Sequence, residues 1–393
     1  MKTEFKYFFL PLFFILSIQF FSLFFDFYTP RADIYNRVLV MLNYMSVFFS
    51  IITYIYIANK FNVKFGDSNK IVFFKPAKIA AVLIAIIFIS ISFKIYGYSL
   101  IVGYENIRYE FFYNQNFRVM LFGGLIFDWM FNIFLLPFCW LFILMLSVDK
   151  KYNFYFYLLL ISLLLYSVSV GGRFSIYYAV IVLFFRYIYF NKLNIKLLVK
   201  VIFLLLVSLV FSTYILSLRT VDFDYYDSIM SVIEYHTLPP FFLINKMQDN
   251  FGNVDFVGVP FYSLFTSLLF SVLKMLKLFH GDVPYYYMTA YLNDFTLVSN
   301  YTGYSYNAFA TILSFFILEF GVISPVFTFV YFLFLFSLSI FIVEKYRLSF
   351  LLFVILYSFF SFFRYEIASA GFQFMIFCLL IYSIFVHITR RVI

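Results

Sequence analysis

The chain has 393 residues, of which 65% are hydrophobic, 26% aromatic and only 12% charged, with a mean hydropathy of +0.96. A soluble domain averages about 45–50% apolar residues, so this composition excludes an ordinary soluble enzyme or binding module. The net charge of +9 comes from lysines set between apolar runs, which is how a protein looks when its inner loops face anionic lipid, and it implies no nucleic-acid partner.

An apolar run of about 20 residues crosses the hydrocarbon core. In lipid such a run must be helical, because no water is present to bond its backbone. Runs of this kind fall near 7–28, 38–58, 79–96, 124–148, 153–170, 174–190, 198–217, 322–343, 348–363 and 370–388. The predicted fold class is therefore all-α, a polytopic transmembrane helix bundle of about ten spans, with 1–393 forming a single membrane domain. Lys2 and Lys6 ahead of the first run imitate the start of a signal peptide. The run is too long for one and lacks a small-residue cleavage site, so an uncleaved first span is expected. Cys139 and Cys378 both fall inside predicted spans, and neither a disulfide framework nor a metal site follows from them.

Orientation follows from where Lys and Arg gather. With the N-terminus in the cytoplasm, ten crossings place Lys60, Lys64, Lys150, Lys151, Lys192, Lys196, Lys200, Lys345, Arg347, Arg390 and Arg391 inside, and both termini are cytoplasmic. The one large polar excursion, 218–306, then lies outside, in the periplasm if the membrane is the bacterial inner one. Its first part, Arg219-Thr-Val-Asp-Phe-Asp-Tyr-Tyr-Asp, is acidic and aromatic, as sugar-binding segments are, and an ordinary solvated loop has the same composition. Asp222-Phe-Asp224 has the spacing of a metal pair, but the pattern is short and no metal is expected. Ser263, Thr266, Ser267, Ser271, Lys274 and Lys277 recur at three- and four-residue spacing among Leu, Phe and Val. That predicts an amphipathic helix lying in the outer interface or dipping into the membrane, not spanning it. A further partial segment, Asn307 to Gly321, precedes the 322–343 run, with Gly321 and Pro325 marking a break between them.

Arg173, Arg219 and Arg364 sit at the outer ends of predicted spans, in Gly171-Gly172-Arg173-Phe174, Ser217-Leu218-Arg219-Thr220 and Phe363-Arg364-Tyr365-Glu366. A guanidinium is always charged, and its planar fork matches phosphate oxygens bidentately. At headgroup depth its partner is a phospholipid or a polyprenyl diphosphate. Snorkelling to headgroups, or pairing with a nearby carboxylate, accounts for any single one of them as well. Gly171 and Gly172 suit a hairpin turn and let backbone approach a ligand closely. Asp128 lies at the outer end of the fourth run with Asn132 one turn on, so the two share a helix face. A carboxylate at that depth is costly unless satisfied, and Asp128 is read as lining a cavity.

Ser167-Val-Ser-Val-Gly171-Gly172-Arg173-Phe174, closing one span and opening the next, resembles the Gly-Gly-Arg turn of bacterial oligosaccharide repeat unit polymerases, the Wzy-type O-antigen polymerases. Asn307-Ala-Phe-Ala-Thr311 followed by Glu319-Phe320-Gly321 is similar to the Thr and acidic-Phe-Gly triplet after that family's large periplasmic loop. The resemblance implies a glycosyltransferase that moves a growing glycan from undecaprenyl diphosphate onto a lipid-linked repeat unit, with no cofactor. It also implies a chain-length regulator protein as a partner. Charge stabilisation of the departing diphosphate falls to Arg173, Arg219 and Arg364 at the Gly171-Gly172 turn and elsewhere. A base for the attacking hydroxyl is needed too. His236, in Glu234-Tyr235-His236, offers an imidazole, a group suited to accept a hydroxyl proton, although a surface histidine with no chemical task reads the same way; Glu366 and Glu319 compete for the role. An O-antigen ligase uses the same donor and topology. A flippase or transporter of lipid-linked sugar should instead show midplane charges and repeat symmetry, and no internal repeat relates the two halves.

The orientation makes a direct prediction. A periplasm-only reporter fused near Asp249 should be active and one near Lys196 silent; the opposite pattern reverses every loop assignment.

Overall fold

The computed structural model describes residues 5–25, 33–65, 75–172, 174–191, 195–218, 225–248, 259–281, 296–297, 305–306 and 311–392. In chain order its helices are α1 (Leu10–Ser22), α2 (Ile34–Lys60), α3 (Lys75–Val102), α4 (Tyr104–Tyr113), α5 (Gln115–Phe122) and α6 (Leu125–Met130). Then come α7 (Leu136–Ser147), α8 (Asn153–Ser169), α9 (Phe174–Phe190), α10 (Ile195–Ser217), α11 (Tyr225–Thr237) and α12 (Pro239–Gln248). The last are α13 (Val259–Met275), α14 (Leu313–Phe320), α15 (Ser324–Phe341), α16 (Glu344–Arg364) and α17 (Ala370–Val392). Apart from one two-residue antiparallel pairing, Thr296 opposite Tyr306 and Leu297 opposite Ser305, the regular structure is helical.

Among the described residues, 8 helical stretches are long and apolar enough to cross a membrane: Phe5–Ser22, Ile34–Lys60, Pro76–Val102, Leu125–Ser147, Lys150–Ser169, Leu313–Phe341, Glu344–Arg364 and Ala370–Ile388. The two other expected runs are occupied by α9, of 17 residues, and by α10, whose described apolar stretch is Leu206–Ile215. The chain is a multi-pass, all-α membrane protein. Its exposed side chains include Phe14, Phe21, Phe49, Leu83, Phe93, Phe203, Val210, Val326, Phe334 and Phe385, an apolar outer surface that only lipid can solvate without cost.

The chain divides into two compact units, one made of 1–65 with 230–393 and the other of 66–229. In the first, α16 is the core: every residue from Leu348 to Phe363 is buried. A helix that is apolar all round belongs in the middle of a bundle. On α2 the buried residues Val40, Asn43, Tyr44, Val47, Ser50, Ile51, Tyr54 and Ala58 recur at helical spacing and face α15. Polar bonds fasten this seam. The Asn43 amide donates to Ser324 Oγ at 2.9 Å and accepts from Thr328 Oγ1 at 2.6 Å, and Tyr54 and Ser339 share a hydrogen bond of 2.7 Å. Buried Gln19 on α1 takes the Tyr44 hydroxyl hydrogen bond at 2.7 Å and donates to the Phe362 carbonyl at 3.1 Å. Lipid tails are as apolar as leucine, so such bonds and close packing do much of the work of holding helices together.

The break expected before the 322–343 run is present. Gly321 has φ +49° and ends α14, a short 3-10 turn follows, and Pro325 opens α15. Helix α13 also forms where its spacing predicts, but with its faces reversed from a water-facing amphipathic helix. Ser263, Ser267 and Ser271 are buried, whereas Tyr262, Phe265 and Leu269 are exposed. Small polar residues let backbones approach, and here the helix packs on α14 and α17. Gln373 of α17 reaches into its ladder, accepting from Leu268 N at 2.9 Å and donating to the Ser263 and Leu264 carbonyls at 3.0 Å.

In the second unit α3 packs along α8, using Ala81, Ala85 and Phe88, all buried. Phe88, Phe131 and Tyr166 form a ring cluster with centroids 5.2 to 5.4 Å apart, and Trp140 stacks on Tyr178 at 4.6 Å. Between α6 and α7 the chain widens into one π turn, Phe131–Leu135, just before Pro137. Proline cannot donate to the preceding turn, and the wider turn absorbs that loss.

The Gln19 clamp gives a stability prediction. Gln19→Leu strands the Tyr44 hydroxyl and the Phe362 carbonyl together, for a loss of about 1–3 kcal/mol in reversible unfolding from detergent micelles. Tyr44→Phe should lose less. Equal stability of Gln19→Leu and the parent would show that the clamp holds nothing.

Candidate functional site

The C-terminal end of α16 is where the first unit concentrates its chemistry. The last carbonyls of a helix have no partner within it, and here other segments supply them. Ser361 O accepts from Ile312 N at 2.8 Å and from Tyr365 N at 3.4 Å, while Phe362 O accepts from Gln19 Nε2. The Ser361 hydroxyl donates to Tyr357 O and accepts from Ile367 N, both at 2.8 Å. Tyr365 adopts a left-handed conformation, φ +51°, and turns the chain out of the helix. Arg364 therefore lies in the last turn of α16, where a cation complements the helix dipole, and Glu366 begins the short 3-10 turn that leads to α17.

His236, in the last turn of α11, packs its ring edge-on to Phe363 with centroids 5.4 Å apart. Its Nδ1 lies 2.7 Å from the Val232 carbonyl. A carbonyl can only accept, so Nδ1 carries the hydrogen, and in the neutral ring Nε2 is the basic nitrogen. The Ser22 hydroxyl donates to Thr237 O at 3.0 Å, tying the end of α11 to the end of α1. His236, Arg364 and Glu366 are thus gathered around one helix end.

Glu366 keeps part of its surface accessible, but burial of its carboxyl raises its pKa above the ordinary carboxylate value, and the Arg364 cation opposes that rise. A carboxyl shifted this way favours folding on the acid side and loses that contribution as pH rises through its folded-state pKa. Thr311 adjoins the same place through its neighbour Ile312. Its hydroxyl is buried and has no hydrogen-bond partner among the described residues. Glu319 is half-buried near the far end of α14, about 10 Å along the helix from Ile312 at 1.5 Å per residue.

In the second unit the Gly171-Gly172 turn is a helix stop built from two crossed bonds. Gly172 N donates to Ser167 O at 2.8 Å and Gly171 N to Val168 O at 2.9 Å. Gly171 has φ +66°, and a Cβ on Gly172 would lie 3.0 Å from Ser167 Oγ. The cap favours both glycines, the first for its left-handed backbone and the second because a Cβ there would press on Ser167. Two side chains from α4 reach the turn: the Tyr104 hydroxyl donates to Val168 O, and Arg108 Nη1 donates to Gly171 O at 3.3 Å. Asp128, 1% exposed, accepts from Asn132 Nδ2 at 2.9 Å and faces Arg118 Nε at 3.7 Å. The shared helix face of Asp128 and Asn132 is present, and an arginine completes the group.

Arg173 and Arg219 lie outside the described residues, as do Asp222, Asp224 and Asn307 to Ala310. Among the described residues, no group of His, Cys, Asp and Glu could hold a metal ion. Sequence reasoning passed over Arg108 and Arg118. The signal was there: each lies in a short stretch of modest polarity between two apolar runs, where a cation at the membrane boundary needs a partner.

The pairing of Arg364 with Glu366 sets a pH response. Replacing Arg364 by Gln removes the charge that lowers the Glu366 pKa, so the protonated carboxyl should persist to higher pH. Its carbonyl stretch in infrared titration reads this directly, with Glu366→Gln identifying the band. An unchanged midpoint in Arg364→Gln would mean that the two groups do not sense each other.

Family models, curated proteins and solved structures gave no match to this chain.

Proposed function

We propose that this chain is an oligosaccharide repeat unit polymerase, which transfers a growing glycan from undecaprenyl diphosphate to the sugar of a second lipid-linked repeat unit at the outer face of the bacterial inner membrane. The observation that carries the reading is the grouping of a guanidinium, an enclosed carboxyl and an imidazole at the capped C-terminal end of α16. The Gly-Gly-Arg and Thr–Glu-Phe-Gly resemblances support it, as does the multi-pass architecture.

In this reading His236 Nε2 takes the proton of the attacking sugar hydroxyl. The hydroxyl oxygen forms a bond to the anomeric carbon, the bond from that carbon to the diphosphate oxygen breaks, and the electron pair leaves with undecaprenyl diphosphate. Arg364 neutralises the charge that develops on the leaving group, which needs no metal, and the family resemblance assigns the same task to Arg173 and Arg219. Glu366 holds the Arg364 cation and competes with His236 and Glu319 as proton acceptor, since a raised pKa makes a carboxylate a better base. The Thr311 hydroxyl, buried and without a hydrogen-bond partner among the described residues, is suited to bond a sugar or a diphosphate oxygen, because buried hydroxyls ordinarily have partners.

Arg173→Ala and Arg364→Ala should leave the protein inserted and abundant while long glycan chains disappear and single-repeat product accumulates. Arg173→Lys should fail nearly as badly, because an ammonium lacks the bidentate fork. Unchanged chain length in both alanine variants would remove the assignment. Loss of glycan transfer to the lipid A core, with chain length intact, would identify a ligase instead.

A further inference from the structure

The second unit contains a cavity of about 370 Å³ at its lysine-rich end, away from the Gly171-Gly172 turn. The volume lies within the usual range of about 300–1,000 Å³ for small-ligand sites. Its floor and rim bring together Arg186, Lys150 and Lys200, and its lining contains no carboxylate among the described residues. Asp149, next to Lys150, accepts from Lys151 N at 2.9 Å and is near enough for its charge to act on Arg186.

Each of the three cations is set over aromatic rings. Arg186 lies 4.5 Å from the Phe156 centroid and 5.1 Å from that of Phe190. The Lys150 ammonium is 4.9 Å from the Phe190 ring, and the Lys200 ammonium is 4.9 Å from the Tyr187 ring. Arg186 is buried and has a structural duty as well. Its Nη1 donates to the Leu146 and Ser147 carbonyls at 3.3 and 2.8 Å, capping α7, and its Nη2 donates to Asn153 Oδ1. It contributes a fixed positive charge at the base of the cavity. Lys150 and Lys200 are exposed at the rim. A ring contact positions an ammonium and still lets its three N–H donors bond an anion.

We propose that this cavity binds the phosphate of an acidic phospholipid, with Lys150 and Lys200 bonding the phosphate oxygens above Arg186. The three cations share the hollow with one neighbouring carboxylate, Asp149, whose charge Arg186 senses, so positive charge is in excess and an anion between them relieves the remaining repulsion. Phe190, Phe184 and Leu183 give the lining an apolar wall, which suits the glycerol and upper acyl carbons attached to such a phosphate. A basic hollow between membrane helices at the lysine-rich side is placed where anionic headgroups are most concentrated. Inorganic phosphate shares the charge but has nothing to lay against that wall.

The test is native mass spectrometry of the full-length protein released from detergent, with phosphatidylglycerol, phosphatidylcholine or inorganic phosphate added in separate arms. The parent should retain phosphatidylglycerol in preference to phosphatidylcholine. Lys150→Gln/Lys200→Gln should weaken phosphatidylglycerol retention about thirtyfold, the expected effect of removing two near-surface cations. The pair Lys60→Gln/Lys345→Gln, on the other unit, should change nothing. Equal retention of the two lipids by the parent overturns the proposal without any variant, and so does full retention by the double variant. Displacement of phosphatidylglycerol by inorganic phosphate at equal concentration would overturn it in favour of a soluble anion.

Discussion

A helix that ends inside a membrane protein leaves carbonyls that lipid cannot bond, and the capping of α16 is the solution on which the first unit is organised. Gln19 from α1, the Ile312 amide ahead of α14, and the Tyr365 amide in its left-handed conformation all converge on Ser361 and Phe362. Segments far apart in sequence are thereby locked to one point. Because α16 is buried along its length, that point is rigid, and Arg364 and Glu366 inherit its rigidity. Preorganised charge is effective in proportion to how little it must move when a substrate arrives.

The second unit applies the same rule. Val168 and Gly171 carbonyls at the end of α8 receive Tyr104 and Arg108 from α4, and the end of α7 receives Arg186. Arginine is therefore used in two ways in this chain. Some guanidiniums satisfy helix ends or a buried carboxylate, as Arg108, Arg186 and Arg118 do; Arg364 sits on a helix end whose carbonyls other groups already help to satisfy.

The helices were legible in the sequence because lipid imposes a length and forbids alternatives: each apolar run near 20 residues has a helix in the structure. The break at Gly321 and Pro325 was legible for the same local reasons. The faces of α13 were not. Spacing alone says that Ser263, Ser267 and Ser271 share a face, but whether that face meets water or a neighbouring helix depends on what packs there, and α17 with Gln373 does. Asp128 and Asn132 were legible as i, i+4 neighbours, whereas Arg118, on the far side of the Gly123-Gly124 turn, was not. Arg186 stood in an apolar run, where the cost of an unpartnered charge should have singled it out. Its partners come from α7 and the start of α8, and only the packing joins them.

The most direct measurement is the affinity of the nanodisc-embedded protein for an undecaprenyl-diphosphate-linked oligosaccharide, compared with the same glycan carrying no diphosphate. If the capped end of α16 presents Arg364 to a diphosphate, the parent binds the diphosphate-linked form far more tightly, and Arg364→Gln loses most of that difference while still binding glycan. Equal affinity of the parent for both forms, or a preference untouched by Arg364→Gln, would contradict it.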